Sequence, residues 1–265
     1  MLTYVGRRIL AVVPVLFGVT LAVFSMLFLV PGDPVKIMLA EFVTSPAAIC
    51  RTVPDALDDT GAAMAQPLAV ALHATRRGKV GKGRSCVVIG AGGIGSFVIA
   101  AAAAMGADPL VAVDVDDGRL ATATALGATA TVHGGRQDAV ESVKAAVGGD
   151  GADVVIEASG APVSPAAALS MVRRGGDVVI VGLQAAPLPA DLFSLSVREI
   201  DVHGTLAHVC GEDLGEAVAV LAGTPLAKTV LGDVIALGDL VEAGLRPLAE
   251  RKARGKVVVD VRGSV

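Results

Sequence analysis

Cysteine is scarce in this chain of 265 residues, which contains only Cys50, Cys86 and Cys210. An odd number of cysteines without close spacing excludes a disulfide framework and a Cys-x-x-Cys metal site. A basic excess is also lacking: the net charge is −4, so the composition gives no reason to expect nucleic acid as a partner. Internal repeats and low-complexity tails are absent as well.

Apolar residues and glycine are abundant instead. The chain is 53% hydrophobic and 18% charged, and it contains 32 glycines and no tryptophan. This composition is typical of a buried parallel sheet, whose strands are apolar on both faces. The length suits one large domain or two small ones.

A glycine-rich stretch at residues 85–95 is the strongest motif. A short strand at 86–89 leads into Gly90, Gly92 and Gly95, which form Gly-x-Gly-x-x-Gly, and a helix is predicted to follow. The first glycine permits a tight turn, the second lets a pyrophosphate approach the backbone, and the third lets the helix pack against the strand. Free N–H groups at the helix N-terminus favour the anion, so Gly93 and Ile94 are candidate cofactor-binding residues too.

An aspartate follows the next predicted strand, at 110–113. Asp114 lies 24 positions after Gly90, close to the spacing expected of a carboxylate that binds the cofactor ribose. The alternative is an ordinary glycine turn with Asp114 as a helix cap. Asp116 and Asp117 are also acidic, and the first basic residue after them is Arg119, so we expect NAD rather than NADP.

Strands and helices alternate along the centre of the chain. Strands are predicted at 86–89, 110–113, 154–157, 178–181 and 200–204, and helices at 94–105, 119–126, 138–147, 165–172 and 213–221. The alternation predicts an α/β fold, a Rossmann-type doubly wound parallel sheet. Its ligand crevice lies at the carboxyl ends of the strands and includes Ser159, Gly160, Gly182 and Leu183. Plain loop chemistry is the alternative for Ser159 and Gly160.

One long apolar run precedes this region. The 22 residues from Ile9 to Val30 carry no charge, and Arg7 and Arg8 come directly before them. About 20 apolar residues span a bilayer as a helix, and the basic flank favours a cytoplasmic N-terminus. We expect one transmembrane-like helix, which places the chain in the inner membrane if it inserts and in the cytoplasm otherwise. A signal peptide and a buried core helix are the alternatives.

Residues 1–41 resemble the N-terminus of dipeptide and oligopeptide ABC-transporter permeases. The segments at 4–8, 14–20 and 30–35 carry this resemblance. It covers only the first membrane helix of such permeases and the turn after it, and it implies a membrane component.

From about residue 42 the chain resembles zinc-dependent medium-chain dehydrogenases, in particular the polyol, butanediol and threonine dehydrogenase branch. The resemblance rests on segments 53–57, 65–74 and 253–259 together with the glycine motif. It implies NAD-dependent oxidation of a small secondary alcohol or polyol to a ketone, and a homo-oligomer is compatible with it. Within the crevice it places Ser159, Gly182 and Leu183 beside the nicotinamide and its ribose, and Arg119 on the adenine side.

The same resemblance divides the chain into four parts. Residues 1–41 are the permease-like segment, 42–80 a remnant of the catalytic domain with a connecting helix, 81–235 the NAD-binding domain, and 236–265 the last helix and strand of the catalytic domain. In the family a GroES-like domain supplies most ligands of a catalytic zinc, and most of that domain is missing here.

Zinc is therefore expected for the family, but we find no ligand set for it in the sequence. Gln66 stands where the family has a further carboxylate near the metal. His203, His208 and Cys210 form the only His/Cys cluster, and ordinary packing or surface placement is the expected role for them. A non-catalytic NAD-binding module is thus an alternative function, besides the permease-related membrane component.

Overall fold

The computed structural model describes residues 45–250, 252–253 and 255–262. Within them a six-stranded parallel sheet has the strand order β3-β2-β1-β4-β5-β6. Its strands are β1 Cys86–Ile89, β2 Leu110–Asp114, β3 Ala130–His133, β4 Ala152–Glu157, β5 Val172–Ile180 and β6 Asp201–Gly204. The order reverses between β1 and β4, which creates the crevice of a doubly wound fold. A second parallel sheet pairs β7 Leu231–Ala236 with β8 Lys256–Asp260.

Helices cover both faces of the large sheet. The helices of the described residues are α1 Asp59–Ala62, α2 Ala65–Arg77, α3 Gly95–Ala104, α4 Asp117–Ala125, α5 Ala139–Val147, α6 Ser164–Met171, α7 Leu192–Arg198, α8 Asp213–Gly223, α9 Leu226–Val230 and α10 Arg246–Ala249. Short 3-10 turns at Ala47–Ile49 and Leu237–Asp239 and a π-helical turn at Leu240–Leu245 complete the described elements.

The core consists of two apolar layers, one on each face of the large sheet. Successive side chains of a strand point to opposite faces, so Val88 packs in the layer of α2, α3 and α8, whereas Val87 packs in the layer of α5 and α6. Strands buried on both sides need the near-continuous apolar runs that the sequence has there. The predicted Rossmann-type sheet is thereby confirmed.

The predicted strands and helices of the central region are all present, but several ends differ. The helix predicted at 165–172 ends at Met171, and β5 begins at Val172, six residues before the strand predicted at 178–181. Val172 pairs with Ala152, and the register then shifts before Asp177 pairs with Val154. This irregular pairing extends β5 through a polar, glycine-containing stretch that does not have the pattern of a strand.

The strand β3 and the helix α7 were missing from the predicted elements. The side chains of β3 are only partly buried, because the strand lies at one edge of the sheet. An edge strand of this kind lacks the apolar run that marked the central strands. The helix α7 has apolar residues, but Phe193, Leu195 and Val197 alternate with polar residues as in a strand, and none of them is buried.

The predicted transmembrane-like helix at 9–30 and the whole permease-like segment lie outside the described residues. Both stay predictions of the sequence. Among the residues that are described, no helix has the length and apolar character needed to cross a membrane.

An ionic network around the buried Asp177 joins the start of the sheet to the segment that follows α2. Asp177 on β5 is 3% exposed and accepts hydrogen bonds from Lys79 Nζ (2.8 Å), Arg84 Nη2 (2.9 Å) and His203 Nε2 (2.9 Å). Burial raises the pKa of Asp177, but the hydrogen bonds from Lys79, Arg84 and His203 outweigh it and hold the pKa at about 2. The same carboxylate raises the pKa of Lys79.

We predict that Asp177→Asn lowers the free energy of unfolding by about 2 kcal/mol at pH 7, because the buried carboxylate loses its charge-assisted hydrogen bonds with Lys79, Arg84 and His203. A carboxyl with a depressed pKa stabilises the fold above its ordinary pKa of 3.8 and loses that contribution as the pH falls toward about 2. The difference between variant and wild type should therefore shrink between these pH values, as measured by urea denaturation. Asp201→Asn is the matched control: the Asp201 carboxylate lies 3.6 Å from Lys79 but is largely exposed. An equal decrease in the free energy of unfolding for both variants would contradict the prediction.

Candidate cofactor site

The glycine turn between β1 and α3 is held by two close backbone contacts. Gly90 has a φ of +93°, which favours glycine, and a Cβ on it would lie 2.8 Å from the backbone of Ser159. A Cβ on Gly95 would overlap the carbonyl oxygen of Gly90. These two positions therefore require glycine for the close packing of α3 against the strand.

The middle of the turn is open by comparison. The nearest atom to a Cβ placed on Gly92 is Arg119 Nη1, at 3.9 Å, and on Gly93 it is Lys256 Cδ, at 3.9 Å. The helix α3 begins at Gly95, directly after Ile94. Gly92, Gly93 and Ile94 thus present backbone at a helix N-terminus, with two cationic side chains beside it, which suits an anionic ligand.

Asp114 lies beside this turn as the last residue of β2. Its Oδ2 accepts a hydrogen bond from the Ala91 N–H (2.7 Å), and its Oδ1 accepts one from the Asp116 N–H (3.0 Å). The cap of α4 is Asp116, whose Oδ1 accepts the Arg119 N–H (2.9 Å). The alternative role of Asp114 as that cap is therefore wrong, and its carboxylate instead fixes the turn at the edge of the crevice.

Arg119 joins the turn to the C-terminal part of the chain. Its Nη1 lies 3.8 Å from Asp114 Oδ1, and its Nη2 donates a hydrogen bond to the Ala253 carbonyl (3.3 Å). A cavity of about 510 Å³ adjoins it, lined by Ala91 from the turn and by residues of the small sheet such as Leu231 and Val257. The C-terminal strand β8 thus forms one wall beside the turn.

Ser159, Gly160, Gly182 and Leu183 lie in the loops after β4 and β5, on the other side of β1 from Asp114. A Cβ on Gly160 would lie 2.9 Å from the Leu183 carbonyl oxygen, so the two loops touch. Leu183 is 77% exposed. The structure therefore brings all the predicted cofactor-binding residues to one edge of the sheet, in one group around Asp114 and a second group on these loops.

Sequence reasoning missed two residues of this region, Glu157 and Lys256. Glu157 ends β4 fully buried, and its Oε1 accepts hydrogen bonds from Ser159 and Gly160. A carboxylate that ends an apolar strand was the available signal. Lys256 reaches the turn from the opposite end of the chain, which no local pattern could indicate.

Possible zinc ligands were examined among the described residues. One group of three could hold a metal ion, Asp177, Asp201 and His203. Asp177 pairs with Val154, which in turn pairs with Cys86, the first residue of β1, so this group lies away from the crevice. Lys79 and Arg84 already bind its central carboxylate. A cationic metal does not fit there.

The remaining candidates are dispersed. His208 Nε2 lies 3.4 Å from Cys210 Sγ, without a third ligand, and His203 belongs to the Asp177 network. His73 Nδ1 lies 3.2 Å from the buried carboxylate of Asp213. Gln66 is exposed at the start of α2. Within the described part of the chain, these residues do not fit a catalytic zinc, which needs three protein ligands and an open position.

Comparisons with known proteins relate the large sheet and its helices to one family. Residues 93–223 match the family described as zinc-binding dehydrogenase. Sorbitol dehydrogenase of Bacillus subtilis is 33% identical over 172 residues, which are 64% of this chain and 49% of that protein. The chain therefore spans about half the length of this curated relative.

Two solved structures share the fold. One is 2R,3R-butanediol dehydrogenase from Bacillus subtilis, with a TM-score of 0.71 and 28% identity, covering 79% of this chain and 60% of that chain. The other is a protein from Sinorhizobium meliloti described as a zinc-binding dehydrogenase and bound to NADP, with a TM-score of 0.68 and 26% identity, covering 78% and 60%. Together with the glycine turn, these matches confirm the predicted family: the part of the chain from residue 93 to residue 223 belongs to the zinc-binding dehydrogenases.

Proposed function

We propose that this chain binds NAD in the crevice at the carboxyl edge of its large sheet. The observation that carries the proposal is the pairing of the glycine turn with Asp114, whose Oδ2 accepts the Ala91 N–H at 2.7 Å. The pyrophosphate would lie on Gly92, Gly93 and Ile94, with Arg119 and Lys256 supplying positive charge beside it. The adenosine ribose would hydrogen-bond to the remaining lone pairs of Asp114.

The reaction class follows from the relatives named above and is proposed here for this chain. Sorbitol and butanediol dehydrogenases act on alcohols with a secondary carbon, and the cofactor that we propose accepts a hydride from such a carbon. Small alcohols or polyols are therefore the substrates to test. What the described residues contribute is binding and orientation of the cofactor: Asp114 fixes one half, and the loops of Ser159 and Gly182 border the other.

The described part of this chain does not bring together a set of side chains that could bind a catalytic metal ion. In the family zinc polarises the substrate oxygen, but the histidines and acidic residues described above lie apart or are bound to cations. We derive no step through zinc for that reason. A non-catalytic NAD-binding module is the second candidate function, and the dispersion of the possible ligands is the observation that favours it.

We predict that the full-length chain binds NADH at least about tenfold more tightly than NADPH, because the Asp114 carboxylate repels a 2′-phosphate. Asp114→Asn should weaken NADH binding about tenfold, as expected from the loss of charge-assisted hydrogen bonds to the ribose. Fluorescence titration of the reduced nicotinamide measures both effects. A protein with the same fold was solved with NADP bound, so the fold alone does not decide between the two cofactors.

Asp117→Asn is the matched control for this titration. Asp117 is exposed in the first turn of α4, three residues beyond Asp114. Its substitution removes the same charge without changing a residue of the glycine turn. It should leave both affinities within about twofold, since exposed charges are screened by salt. Equal or tighter binding of NADPH by the wild type would refute the assignment of NAD.

We predict little zinc-dependent turnover by this chain. Purified protein should contain clearly less than one zinc per chain by elemental analysis, and assays with butanediol, sorbitol and threonine should stay near background. Without the metal, a stabilisation of several kcal/mol for the developing alkoxide is lost. Gln66→Glu should not restore activity, because one carboxylate cannot replace a set of three ligands. Robust turnover with one bound zinc per chain would show that the ligands lie elsewhere in the sequence.

A further inference from the structure

A fully buried carboxylate ends the strand β4, at the point where the crevice begins. Glu157 is 0% exposed, and its Oε1 accepts hydrogen bonds from the N–H groups of Ser159 (2.8 Å) and Gly160 (3.0 Å). The hydroxyl groups of Ser159 (2.6 Å) and Ser164 (2.7 Å) lie within hydrogen-bond distance of the same oxygen. The first loop is therefore wrapped around this single side chain.

Glu157 also reaches the loop after β5. Its carbonyl oxygen accepts hydrogen bonds from the N–H groups of Val181 (2.8 Å) and Gly182 (3.0 Å), and its Oε2 lies 3.5 Å from Gln184 Nε2. A Cβ on Gly182 would overlap both Glu157 Oε2 and the N atom of Gly160. The carboxylate thus sets how closely the two loops approach each other.

Contact with the glycine turn passes through Ser159. The backbone of Ser159 lies against Gly90, where a Cβ would come within 2.8 Å of it, and Glu157 pairs with Ile89 at the end of β1. Three loops at the carboxyl edge therefore share one buried group. The group next to Asp114 is separate, since Asp114 hydrogen-bonds to Ala91 and Asp116.

A glutamate is a costly choice for this position. Burying a carboxylate is unfavourable unless several donors bind it, and an apolar residue would continue the run of β4 at less cost. The donors named here are backbone N–H groups, hydroxyls and an amide of the two loops, not the lysine and arginine that bind Asp177. The side chain is thus placed where it orders loops rather than where it joins helices to the sheet.

We propose that Glu157 is the positioning residue for the nicotinamide half of the cofactor site, while Asp114 holds the adenine half. The inference rests on the proposed function, because it assumes that NAD lies across the crevice. In a doubly wound sheet the dinucleotide crosses at the reversal between β1 and β4, so its two halves lie over opposite sets of strands. Glu157 acts through Ser159, Gly160 and Gly182 and does not touch the reacting atoms.

The test compares NADH with ADP, which keeps the adenine, the adenosine ribose and both phosphates but lacks the nicotinamide ring and its ribose. Isothermal titration of the full-length chain gives both affinities. Glu157→Ala should weaken NADH binding about tenfold, or about 1.4 kcal/mol, and ADP binding by less than about twofold. Glu157→Gln keeps one acceptor oxygen for the two N–H groups and should restore most of the NADH affinity.

Ser164→Ala provides a second variant in case Glu157→Ala does not fold. It removes only the hydroxyl that lies 2.7 Å from Glu157 Oε1 and should weaken NADH binding about threefold while leaving ADP binding unchanged. Ser170→Ala is its matched control, since Ser170 is on the same helix and its hydroxyl binds only the Ala166 carbonyl among the contacts described. This control should change neither affinity.

Each outcome decides one of the two proposals. Selective loss of NADH binding supports the positioning role. Equal weakening of both ligands, or a lower melting temperature with both affinities unchanged, overturns that role and leaves the proposed NAD binding intact. Wild-type protein that binds neither ligand would instead refute the proposed function itself.

Discussion

The close approach of α3 to β1 is the constraint on which the crevice depends. It exists because Gly95 has no Cβ to overlap the Gly90 carbonyl oxygen. With α3 held there, the Ala91 N–H faces Asp114 and Gly90 leaves room for Ser159. A side chain at either glycine would separate these groups. Asp114 and the loop of Ser159 would then no longer be held against the same turn.

Buried carboxylates at the two edges of the sheet are stabilised in different ways. Asp177, near the amino end of β1, is bound by a lysine, an arginine and a histidine, which compensate its charge. Glu157, at the carboxyl edge, is bound by N–H groups and hydroxyls of loops. The first arrangement contributes stability that depends on pH, and the second fixes backbone geometry where a ligand would bind. The loops at the carboxyl edge are therefore held in a defined arrangement by a group that needs no cationic partner among the contacts described.

The sequence predicted the sheet and the glycine turn well because both depend on local patterns. A short window of sequence is enough to recognise an apolar strand that is buried on both faces, or glycines at a fixed spacing. The strand β3 and the helix α7 could not be found this way, since the first lacks an apolar run and the second has apolar residues that alternate as in a strand. Glu157 was missed because its importance comes from contacts with loops of two different strands.

Lys256 shows most clearly what a local pattern cannot reveal. It is separated from Gly93 by more than half of the chain, yet its Cδ lies 3.9 Å from where a Cβ of that glycine would be. The pairing of β8 with β7 brings it there, and Arg119 adds a hydrogen bond to Ala253 on the same side. Two cations beside open backbone match the charge of a pyrophosphate. The small sheet thus lies against the glycine turn and lines the proposed cofactor site, although it is at the far end of the sequence.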